Sequence, residues 1–210
     1  MEVVLFDLDN TLYAPERALF ALIDGRINSY MSEVVGIPAL QVDGLRREYW
    51  QRYGVTLQGL MRHYGVDPED YLHYVHDVDV TSRLQADHDL RRALQELRVP
   101  MVVFTNGSRD HAERVLGALG IRDLFQEIYD IRVAAYQPKP FAEPYHAVLK
   151  CLGTAPGACA MIEDSIPNLE TAKQLGMRTV LVGPEHDAPY VDARVASAAQ
   201  VPAQLLQWLA

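Results

Sequence analysis

Two carboxylates one residue apart, Asp7 and Asp9, follow the apolar run VVLF near the start of the chain. Successive strand side chains point to opposite faces. The pair therefore shares a location only if the strand stops at Phe6 and the chain turns, which puts both acids at the strand's carboxyl end. That rim is where open α/β sheets bind ligands. Two acids crowded there repel each other and cost stability unless a cation or a reaction needs them, so the pair reads as a reaction centre. Further chemistry follows other apolar runs. Thr105-Asn106-Gly107 succeeds VPMVVF (99–104), Glu163-Asp164-Ser165 begins at the end of CAMI (159–162), and Lys139 lies in the loop QPKP. Rim residues of a parallel sheet converge in space though distant in sequence, so acids, a lysine and a Thr-Asn turn can form one site.

Each group alone has a plainer reading. Asp9 before Asn-Thr can be a turn or helix cap, and Thr105-Asn106-Gly107 is a good generic turn. A solitary Lys139 is ordinarily a solvated surface residue. Glu163-Asp164 can simply start a helix favourably against its dipole. Their joint occurrence at several strand ends favours the chemical reading.

The elements that must position these groups alternate. Apolar runs at 99–104, 125–129, 159–162 and 178–182 read as strands, the second of these the weakest. Helical spacing covers 110–119, ended by Gly120, then 144–152, then 168–175, ended by Gly176. Residues 201–209 read as a last helix. Strands alternating with helices predict an α/β fold, a parallel sheet covered on both faces. Residues 15–82 break the rhythm, with helical patterns, many aromatics and histidines, and no strand. The segment reads as a helical cap inserted after the first strand, leaving 1–14 and 83–210 as the core.

The length of 210 residues and 49% apolar content fit one domain, or a core with a small inserted module. A net charge of −9 gives no electrostatic support to a nucleic-acid polymer or a membrane surface as partner. A bound phosphate would need local neutralisation by a metal, a lysine or backbone amides. Two cysteines, Cys151 and Cys159, suggest reduced thiols rather than a disulfide framework. The start of the chain shows no signal-peptide pattern, and no apolar run is long enough to span a bilayer. The expected setting is the cytoplasm.

With these groups in order along essentially the whole chain, the sequence resembles the haloacid-dehalogenase-like hydrolases. DLDNTLY is similar to that family's first motif, FTNGS to its second, KP to its third and EDS to its fourth. The resemblance implies a Rossmann-like core, a helical cap after the first motif, and Mg²⁺-dependent phosphoryl transfer through an aspartyl-phosphate. Asp7 would then be the nucleophile and a metal ligand, because a carboxylate attacking a phosphate monoester must overcome repulsion between anions. Asp9 would protonate the leaving oxygen and later deprotonate the hydrolytic water, its carbonyl joining the metal shell. Asp164 would supply a second carboxylate to the cation, and Glu163 would act through water or orient Lys139. Thr105 and the Asn106 amide would hold phosphate oxygens, with Lys139 balancing charge on Asp7 and the phosphate. Relatives that dehalogenate lack the second acid, so Asp9 and Asp164 point to a small phosphorylated metabolite as substrate.

The segment 52–79 further resembles the cap of pyrimidine 5′-nucleotidase-type members, and KPFAEPYHAVL places Tyr145 six residues after Lys139 as they do. This implies nucleoside 5′-monophosphates as substrates. Other expectations are a sugar phosphate, phosphoglycolate, a phosphomutase reaction, or a non-catalytic relative that binds a phosphorylated ligand or a protein. Within the cap, Tyr53, Arg62, His63 and Tyr64 are candidate substrate contacts, with Trp50 and His76 as further stacking or hydrogen-bonding groups. The plainer reading is that aromatics at helical spacing pack a core. Nothing in the sequence bears on oligomeric state.

Overall fold

The computed structural model describes residues 1–184 and 188–209. The strands are β1 (Val3–Phe6), β2 (Met101–Phe104), β3 (Glu127–Tyr129), β4 (Cys159–Glu163), β5 (Arg178–Val182) and β6 (Ala193–Val195). They form one six-stranded sheet in the order β3-β2-β1-β4-β5-β6, with every pairing parallel. The helices are α1 (Leu19–Ser29), α2 (Ala39–Tyr53), α3 (Thr56–Tyr64), α4 (Pro68–His76), α5 (His88–Leu94), α6 (Arg109–Leu119), α7 (Ala142–Leu152), α8 (Ile166–Gln174) and α9 (Val201–Leu209).

Strands of such a sheet are buried on both faces and read as unbroken apolar runs. All residues of β1, β2 and β4 are buried. Alternate side chains sort to two layers. Val4, Phe6, Val103 and Ile162 pack with α5, α6 and α9, whereas Leu5, Val102, Phe104 and Met161 pack with α7 and α8. This is the expected Rossmann-like α/β architecture. The chain proceeds outward from β1 through β2 to β3, then returns to place β4 on the other side of β1. Ligands bind in open α/β sheets outside the strand ends at such a reversal. Phe6 is level with Val103 on β2 and with Ile162 on β4, so the residues after these three strands share one rim.

Two elements, α5 and β6, lie outside the sequence reading. The only buried side chains of α5 are Leu90 and Leu94, amid charged neighbours, and β6 is three residues at the sheet edge with one buried. β2 begins at Met101 rather than residue 99; Pro100, just before it, has no N–H to give a ladder. The expected core segment 83–210 includes residues 185–187 and 210, which lie outside the described residues.

Between β1 and α5, helices α1–α4 enclose a separate apolar cluster that includes Ile23, Ile27, Tyr30, Met31, Tyr49, Tyr53, Leu57, Leu60 and Tyr71. Helices α2 and α3 touch at Gly59, where an added Cβ would stand 2.1 Å from Cγ of Tyr49. The helical segment is tied to the loop after β3. Arg132 donates to Glu69 at 2.7 and 2.6 Å, Tyr136 also donates to Glu69, and Gln58 donates to the Tyr136 carbonyl at 2.6 Å. The Arg132 and Tyr136 hydrogen bonds hold the Glu69 carboxyl down at about 2.

Candidate active site

The turn after β1 carries the acids. Leu12 donates its N–H to the Leu8 carbonyl at 3.0 Å, and Asn10 adopts φ 62°, a left-handed conformation that Asn tolerates better than most residues. The turn folds each hydroxyl back onto the acid four residues before it. Thr11 Oγ1 lies 3.1 Å from Asp7 Oδ2, and Tyr13 donates to Asp9 Oδ1 at 2.6 Å. Thr11 Oγ1 is also 3.1 Å from Asp164 Oδ1, so one hydroxyl links β1 to the acid after β4.

Lys139 is buried, and its ammonium has partners for all three protons: Asp7 Oδ1 at 2.8 Å, Glu163 Oε2 at 2.8 Å and the Phe104 carbonyl at 2.7 Å. It reaches this point because Asn106 clamps its backbone. The Asn106 side chain donates to the Lys139 carbonyl at 3.0 Å and accepts from the Lys139 N–H at 2.8 Å. The side-chain amide of Asn106 is therefore committed to the loop. Its backbone N–H has no protein acceptor among the described residues and is the amide free to meet an anion. Thr105 is buried beside it, its Oγ1 accepting from the Gly107 N–H at 2.9 Å. A Cβ at Gly107 would come within 3.3 Å of that oxygen, so the turn has little room for a side chain.

One lysine faces several acids. Carboxylate oxygens of Asp7, Glu163 and Asp164 lie within 4.8 Å of one another. Burial raises the Asp7 carboxyl, the charges of Asp164 and Asp9 add to that rise, and Lys139 only partly offsets it, leaving it at about 6. Burial and the Asp7 charge push Glu163 well up, and burial raises Asp164. Lys139 is held above its ordinary value despite burial, by Asp7 and Glu163. A cluster with more negative charge than its lysine balances, offering oxygen donors only, fits a hard divalent cation such as Mg²⁺.

Asp9 has a different environment. His111 Nε2 lies 2.8 Å from Asp9 Oδ1, the same oxygen that Tyr13 bonds. Burial raises this carboxyl, but the interactions with His111 and Tyr13 outweigh it and the group lies below its usual range. His76 stacks on His111 with ring centroids 4.7 Å apart and planes 15° from parallel. Burial and then His111 lower His76 to about 3. The Tyr13 contact follows a spacing of four residues legible in DLDNTLY. His111 is absent from the sequence reading, because a contact 102 residues away has no local signature.

A cavity of about 1050 Å³ brings Asp7, Asp9, Thr105, Asn106, Gly107, Lys139, Glu163 and Asp164 onto one wall. Phe20, Arg47, Trp50, Arg52 and Leu57 of the helical segment also line it, and so does His76, whose Nε2 lies 3.5 Å from the Cβ position of Gly107. Tyr53, Arg62, His63 and Tyr64 are not among its lining residues. α3 presents its first turn, Thr56 and Leu57, to the cavity, while residues 62–64 form its last turn, roughly 9 Å further along the axis. Tyr53 instead packs in the helical cluster, its hydroxyl 2.9 Å from His63 Nε2, with Arg62 over its ring. Trp50 and His76 do face the site.

A family model described as haloacid dehalogenase-like hydrolase matches residues 1–176. Over 197 residues the chain is 28% identical to phosphate metabolism protein 8 of Saccharomyces cerevisiae, covering 86% of this chain and 61% of that protein. Over 103 residues it is 33% identical to validoxylamine A 7′-phosphate phosphatase of Streptomyces hygroscopicus subsp. limoneus, covering 48% of this chain and 46% of that one. The chain thus spans less than two thirds of the length of both relatives. In fold it is similar to the crystal structure of a HAD phosphatase from Thermococcus onnurineus, with a TM-score of 0.65, 20% identity and 98% of each chain covered. The family match runs through all the strand-end clusters that the fold gathers on one rim, and the chain belongs to the haloacid dehalogenase-like hydrolases.

Proposed function

We propose that this chain hydrolyses small phosphomonoesters with the help of Mg²⁺, through a phosphoryl group carried on Asp7. The observation that carries the reading is the division of labour between the two acids of one turn. Asp7 is bound by Lys139 within the carboxylate cluster, whereas Asp9 is bound apart from it by Tyr13 and His111. A dehalogenating relative would need the first acid but not the second. A protein that only binds phosphate has no use for a nucleophile paired with a separately tuned acid.

Asp7 and Asp164, with the Asp9 carbonyl, would hold the cation, and Glu163 would support them through Lys139. The bound ion would neutralise charge on the phosphate and on Asp7. Asp7 attacks phosphorus, and the phosphate oxygens meet Lys139, Thr105 and the open Asn106 N–H. Asp9 is ionised in the resting protein; a phosphate dianion arriving beside it favours its protonated form, the proton being taken up from solvent as the substrate binds. In that form it passes the proton to the departing oxygen, and as carboxylate it then takes one from the water that cleaves the acyl phosphate.

Residues 15–82 would act as a cap, closing the cavity and excluding water. The proposed substrates are nucleoside 5′-monophosphates, pyrimidine ones foremost. The cavity has room for them, and Trp50, 60% exposed, lines it together with Arg47 and Arg52. The test is phosphate release from a panel of nucleoside 5′-monophosphates, sugar phosphates and phosphoglycolate, with Mg²⁺ or EDTA, beside Asp7→Asn. Mg²⁺-dependent release that the variant loses, greatest on UMP or CMP, is the expected result. A preference elsewhere in the panel would discard the nucleotide reading, isomerised product would indicate a mutase, and silence throughout would sink the phosphatase.

A further inference from the structure

We propose that Tyr13 and His111 are positioning residues that hold Asp9 with one oxygen aimed at the leaving group; this rests on the phosphatase reading above. Both donors converge on Oδ1, at 2.6 and 2.8 Å, while Oδ2 has no hydrogen-bond partner among the described residues. Asp9 lines the cavity, so Oδ2 is the oxygen left for substrate. A fold that merely had to satisfy a part-buried carboxylate gains most by placing donors on both oxygens. Here one oxygen takes two and the other none, which fixes the plane of the carboxylate and reserves one edge.

The His111 ring is packed in place as well as bonded to Asp9. It is fully buried, and its backbone N–H bonds to the capping Ser108 Oγ at 3.3 Å. His76 covers one face. His76 is in turn fixed by its Nδ1, 3.0 Å from both the Leu72 carbonyl and Ser108 Oγ. Nδ1 of His111 is buried with no protein partner among the described residues. An unsatisfied buried atom is costly, and the ring keeps this arrangement with Nε2 directed at Asp9. Tyr13 arrives from the turn that carries Asp9, and His111 arrives from α6, so the carboxylate is gripped from two independent elements. An acid held this way can meet the departing oxygen without a search through rotamers.

The role predicts a dependence on leaving group that a structural role does not. An alkyl phosphate must have its departing oxygen protonated, whereas p-nitrophenyl phosphate releases a phenolate that leaves without a proton. The measure is kcat/KM, which covers steps only up to departure, so the later hydrolysis does not mask the effect. General acid catalysis is worth about a hundredfold or more. Loosening the acid in Tyr13→Phe should then lower the ratio of kcat/KM for the best alkyl phosphate of the panel to that for p-nitrophenyl phosphate roughly tenfold. His111→Leu should do the same, and His111→Gln, which keeps an amide donor, should recover most of the ratio. Equal losses on both esters, or a glutamine variant no better than leucine, would overturn the proposal in favour of a structural role. Tyr13→Phe, which keeps the ring, decides the matter even if the histidine variants fail to fold. Wild-type protein that releases phosphate from neither ester would instead bring down the phosphatase reading itself, and the proposal with it.

Discussion

Lys139 concentrates several opposing effects in one side chain. It is desolvated, which disfavours its charge, yet Asp7 and Glu163 hold it protonated. Removing one partner of a buried ionic group leaves the others uncompensated, which costs about 3–5 kcal/mol. Lys139→Met has similar length and keeps the packing against Phe104, whose ring lies 4.9 Å from the ammonium. The variant should be inactive and less stable at pH 7 by an amount of that order. The deficit should shrink as the pH is lowered toward 5, because protonating Asp7 and Glu163 removes the repulsion that the lysine masked. Urea unfolding at both pH values checks this; a deficit that is no smaller at pH 5 than at pH 7 would mean that packing, not charge, is the cause.

At the scale of elements, the pairing of α2 with α3 turns on a single absent side chain. A Cβ at Gly59 would collide with the ring of Tyr49, which also stacks on His63 at 5.4 Å and so has little freedom to retreat. Overpacking of this kind costs about 1–3 kcal/mol. Gly59→Ala should lose that much in urea unfolding even though alanine is the better helix former. Neutral or improved stability would show that the helices part without cost. The same elements explain what the sequence could and could not reveal. β1, β2 and β4 are legible because strands buried on both faces leave unbroken apolar runs, and the acids and Thr105 are legible because they follow such runs, whereas Lys139, in the loop QPKP, is legible only by its place in the order of motifs. Tyr13 is half-legible, by its spacing from Asp9. His111 is not, since its place depends on how α6 packs against the turn after β1. In the helical segment the residue types suggested Tyr53, Arg62, His63 and Tyr64, but type does not say which turn of α3 faces the cavity. The packing of Leu57 and Leu60 against Tyr49 and its neighbours decides that; of the expected aromatic and histidine candidates Trp50 and His76 reach the cavity, with Arg47, which is absent from the sequence reading.

For the whole molecule, the proposed metal role of the carboxylate cluster would make stability a function of cation and proton together. The Asp7 carboxyl stands at about 6 in the folded chain against 3.8 as its ordinary value. A group raised on folding binds more protons in the native state. Its contribution is therefore fully present below pH 3.8 and is lost as the pH rises through about 6. Acting alone, Asp7 would contribute about 3 kcal/mol to this loss. The cation competes for the same oxygens and needs them ionised, so its effect must run the opposite way, absent near pH 4 and full above pH 7. A ligand at about a hundred times its Kd adds about 2.7 kcal/mol, which for a chain of this size is roughly 5–10 °C in Tm. Mg²⁺ should therefore raise the Tm by that much at pH 7.5, by far less at pH 5, and not at all in Asp164→Asn, which lacks one of the two carboxylates proposed to hold the ion. Without Mg²⁺, Asp164→Asn should be as stable as the wild type or more so, because it removes a repelling charge beside Asp7 and Glu163. Thermal melts with Mg²⁺ and with EDTA separate these terms without any assay of turnover. A Tm rise in the wild type that does not depend on pH, or one that survives in Asp164→Asn, would place the cation somewhere other than this cluster.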